Sequence, residues 1–111
     1  MSKRNPRLLV VDMIESSEKI TRYCADMTFE EFIADERTID AVIRNFEIIG
    51  EAASCLSADF RDEHSAIDWH KIRGFKNRIV HDYMGIDYSI VWAIKTDFLP
   101  GLLTTPKALL V

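Results

Sequence analysis

Between Arg7 and Leu99 the chain contains no proline, and its apolar residues recur at the spacing of a helix. At 100° per residue, Leu9, Met13, Ile20, Cys24 and Met27 fall within one narrow arc, which predicts an amphipathic helix over 7–26. Thr28 and Glu31 have capping-box spacing ahead of Phe32 and Ile33, so a short helical turn is expected at 29–34. From Glu36 to Leu56 the pattern is strongest. Ile39, Val42, Ile43, Phe46, Ile49, Ala53 and Leu56 share one face, and Asp40, Arg44, Glu47 and Glu51 share the other. Gly50 lies inside the apolar arc, where a missing side chain lets another backbone come close and offsets a propensity cost of about 1 kcal/mol. A polar stretch then holds at most a short helix at 58–64. Asp68 is placed to cap a helix from 69 to 83, and Asp87 a last one carrying Ile90, Val91, Ile94, Phe98 and Leu102 on one stripe. No run of β-branched residues supports a sheet. The expected fold is all-α: one domain spanning 1–111, built as an up-down bundle of four main helices with short connecting helices.

Composition narrows what such a bundle does. Of 111 residues, 48% are hydrophobic and 29% charged, which is globular and contains no unbroken apolar span. The basic start is followed by an apolar stretch that Asp12 and Glu15 interrupt, unlike a signal peptide, so the expected location is the cytoplasm. Cys24 and Cys55 lack the paired spacing of a zinc site and read as small core residues. The formal net charge of −4 disfavours broad binding to nucleic acid, so any RNA contact must come from a local patch.

Such a patch exists in WHKIRGFKNRIVHDYMGID, residues 69–87. Between Trp69 and Tyr83, Lys71, Arg73, Lys76 and Arg78 stand against Asp82 alone, a local charge of about +3 inside an acidic protein. On a helical wheel Arg73, Lys76, Asn77, Val80 and His81 share one side and Arg78 points away; Asn77 and His81, four apart, are neighbours. A histidine there is suited to transfer the proton of a 2′-hydroxyl or of a leaving oxygen, with the cations steadying charge that grows on phosphorus. No metal or other cofactor is called for, because His64, His70 and His81 have no carboxylates at recognised ligand spacing. On residue types alone, a basic helix face ending in histidine is more often a solvated surface or a set of cations complementing the helix dipole.

The blocks DERTIDAVIRNFEIIGEAA and DWHKIRGFKNRIVHDYMGIDYSIVWAIKTDFLP, in that order, resemble the HepT-like branch of the HEPN superfamily over nearly the whole chain. The family signature is Arg, four residues, His, one residue, Tyr, and the matching positions are Lys76, His81 and Tyr83. The resemblance implies a homodimer of helical bundles whose paired motifs form a metal-independent endoribonuclease site at the interface. It also implies a toxin–antitoxin pairing with a minimal nucleotidyltransferase that adds AMP to Tyr83. Lysine at 76 keeps the charge of the family's arginine but loses the planar fork that grips two phosphate oxygens. Arg73 shares its face and is the better substitute than Arg78.

The expected site therefore comprises Lys76 as phosphate stabiliser, Asn77 as positioning group and His81 as general acid/base, supported by Arg73, with Tyr83 as the modified residue. Arg44, Glu47 and Glu51 are candidates to orient the motif from the long helix, although spaced charges on a helix face commonly do no more than pair with neighbours. Trp69 and Trp92 read as core or interface anchors, and Tyr83 and Tyr88 as residues able to stack on bases. A non-catalytic subunit that docks a nucleotidyltransferase is the alternative that Lys76 favours. A helical dimerisation module without chemistry is a third.

Overall fold

The computed structural model describes residues 5–74, 88–97 and 99–101, and these are helical with short connections and contain no strand. Among the described residues six helices stand in this order: α1 (Pro6–Tyr23), α2 (Phe29–Ile33), α3 (Glu36–Cys55), α4 (Ala58–Glu63), α5 (Trp69–Arg73) and α6 (Tyr88–Asp97). Each of the first five begins on a side chain that accepts a backbone N–H: Asn5, Thr28, Asp35, Ser57 and Asp68. Those oxygens satisfy donors that the first turn leaves without an intrahelical partner. Thr28 and Glu31 form the reciprocal capping box that their spacing predicts, with Glu31 N–H donating to Thr28 Oγ1 at 3.1 Å and Thr28 N–H to Glu31 Oε1 at 2.9 Å.

The core follows the predicted stripes. Leu9, Met13, Ile20 and Cys24 of the first stripe are buried, as are all seven apolar residues assigned to α3. α1 ends three residues earlier than its stripe suggests. The chain leaves the helix at Cys24 and turns through Asp26, whose φ of 62° is the left-handed conformation that aspartate tolerates. Met27 still reaches the core, but from the turn. Cys55 departs from its expected burial and is exposed. It sits 100° around α3 from Leu56 and so lies off the apolar arc.

α1 and α3 pack along their lengths. Leu9 meets the Ala52–Cys55 end of α3 and Tyr23 meets the Asp40–Ala41 end, so the two run antiparallel. α5 packs on α3 at Gly50, where a Cβ would stand 3.5 Å from the Ile72 carbonyl oxygen. Gly50 is thus the crossing point its place in the arc suggests. α5 ends at Arg73 with Gly74 as its C-cap, short of the helix expected from 69 to 83, because glycine's weak helix propensity favours a stop there; positions 75–83 lie outside the described residues, as do the Asp87 cap, Phe98 and Leu102 of the last stripe. Within α6, Val91 and Ile94 are buried, and Trp92 is half-buried against Phe29 and Phe32 at ring-centroid distances of 6.0 and 5.1 Å. No helix among the described residues is long and apolar enough to cross a membrane.

Candidate functional site

Arg73 closes the last described turn of α5, and the local sequence explains why that turn is held firmly. Asp68 Oδ1 accepts the Lys71 N–H at 3.0 Å, which starts the helix. Ile72, fully buried, and Trp69, 7% exposed, fasten it to the core. The Trp69 indole N–H donates to the His64 carbonyl at 3.0 Å, and its ring meets Phe60 edge-on at 6.3 Å. The opposite side of the same turn carries His70, Lys71 and Arg73, all exposed. A basic surface is therefore presented on a pinned element, one residue ahead of Gly74.

Lys76, Asn77, His81 and Tyr83 lie outside the described residues, so the expected catalytic and modification positions have no geometry here. Arg44, Glu47 and Glu51 are brought together. They rim a groove of about 330 Å³ between α1 and α3, with Asp12 on the facing wall and Leu9, Ile48 and Ala52 beneath. Cys55 closes one end, its Sγ 3.9 Å from Glu51 Oε1. Arg73 is not one of the groove residues. Among the described residues, no group of three or more His, Cys, Asp or Glu side chains converges as a metal site, the three groove carboxylates included.

Pattern reading missed two features. Asn45 is 6% exposed; its Nδ2 donates to the Ala41 carbonyl at 2.8 Å, while Oδ1 has no partner among the described residues. The available signal was an amide within the arc of α3 that faces α1. Arg61 reaches back from α4 to the end of α3, donating from Nη1 to the Ala53 carbonyl at 3.3 Å and to that of Leu56. A cation there satisfies carbonyls that a helix C-terminus leaves open and complements its dipole. Only a tertiary contact reveals it.

Among the described residues, two groups have a shifted proton affinity. Burial pushes the Cys24 thiol up, partly offset by the Lys95 ammonium. The Thr38 N–H and hydroxyl, donating to the two Asp35 oxygens at 3.1 and 2.8 Å, hold that carboxyl below its usual range.

Comparison with known proteins places the whole pattern in context. Residues 13–109 match the family model described as "Ribonuclease HepT-like". The chain is 36% identical over 101 residues to "Putative RNase MJ0127" of Methanocaldococcus jannaschii, covering 91% of this chain and 84% of that protein. It is 33% identical over 100 residues to "Probable ribonuclease HepT" of Thermococcus cleftensis, covering 90% and 91%. No solved structure matches the chain significantly.

Proposed function

Because the chain belongs to the HepT-like ribonuclease family, with an all-helical HEPN-like fold, we propose that it is a metal-independent endoribonuclease, the toxin subunit of a pair with a minimal nucleotidyltransferase antitoxin. The observation that carries this reading is the extent of the family match: residues 13–109 include the whole segment in which Lys76, His81 and Tyr83 keep the spacing of the family signature.

The chemistry rests on proton transfer. His81 moves the proton of the attacking 2′-hydroxyl or of the leaving oxygen. Lys76 opposes the charge that builds on the phosphoryl oxygens, and Asn77, four residues before His81, orients the imidazole or the phosphate. Arg73 adds a second cation three residues ahead of Lys76. Arg44, Glu47 and Glu51 support the motif from α3, and two copies meeting about a two-fold axis form the site at their interface. AMP added at Tyr83 places negative charge inside the basic patch and repels RNA phosphate, which is how the antitoxin silences the site.

Lys76 in place of the family's arginine favours a second reading, in which the chain docks the nucleotidyltransferase and presents Tyr83 without cleaving RNA. One experiment separates the two. Purified protein incubated with RNA in EDTA cleaves it under the first reading and leaves it intact under the second. In parallel, intact-mass analysis after incubation with a minimal nucleotidyltransferase of the proposed antitoxin class and ATP shows AMP additions on the wild type and none on Tyr83→Phe. Equal modification of Tyr83→Phe means another residue is the acceptor.

A further inference from the structure

We draw no further inference here: the strongest candidate, the hollow of about 400 Å³ on the α1–α3 seam beside the buried Asn45, whose Oδ1 has no donor among the described residues, shares Arg44 with the groove of the site already described, and nothing in the structure shows what covers it.

Discussion

Asp35 ties the start of the longest helix to pH. Its carboxyl accepts from Thr38 N–H and Oγ1 and is held below the ordinary range, so the folded state binds its proton less readily than the unfolded chain does. Its contribution is therefore complete above the unfolded value near 3.9 and is lost as the pH falls through the lower folded value. Thermal melts followed by circular dichroism should show a steeper acid-side loss for the wild type than for Asp35→Asn, whose amide oxygen caps without titrating. The two thiols should also separate. Cys55 is exposed, whereas Cys24 is buried and its thiolate disfavoured, so a thiol reagent should modify Cys55 quickly and Cys24 only as the protein unfolds. Two fast thiols in the native protein would contradict the burial of Cys24. This difference was not legible in the sequence, because both cysteines sit within apolar helical patterns. What separates them is angle: Cys24 falls on the α1 stripe, and Cys55 faces the groove beyond the α3 arc.

At the scale of elements, the crossing of α3 and α5 sets where the basic segment begins. Ile72 is completely buried there, and truncation to alanine removes packed atoms that α3 cannot replace, which should cost about 2–4 kcal/mol in chemical denaturation. Gly50→Ala is the informative companion. A methyl would meet the Ile72 carbonyl oxygen at 3.5 Å, ordinary contact, so the variant should keep the crossing and gain up to about 1 kcal/mol of helix propensity. A loss of stability in Gly50→Ala would mean that the helices approach more closely than this. The sequence exposed this crossing because a glycine inside an otherwise apolar stripe has few other uses. It exposed α3 and the caps for similarly local reasons: seven apolar residues on one arc, and oxygen-bearing side chains at helix starts. It overran the end of α1 because Met27 continues the periodicity even though Asp26 has already turned the chain. The α1 wall of the groove stayed hidden, since Asp12 meets Glu47 and Glu51 only through the antiparallel pairing of two helices.

Over the whole molecule, an acidic chain carries a basic segment in its second half. The net charge is −4, yet residues 69–83 carry about +3, and the exposed His70, Lys71 and Arg73 stand where that segment enters from a pinned turn. RNA approaching the protein is drawn to that segment. Family membership was legible from two separated sequence blocks, and the match over residues 13–109 bears it out. The proposed catalytic assignment of His81, Lys76 and Asn77 rests on spacing and chemistry. It is tested most directly by the cleavage rate of one RNA with wild type, Lys76→Arg and His81→Ala side by side. Restoring the planar guanidinium should raise the rate, and removing the imidazole should lower it about 100-fold or more. Cleavage that persists unchanged in His81→Ala would contradict the account and put the active site elsewhere in the chain.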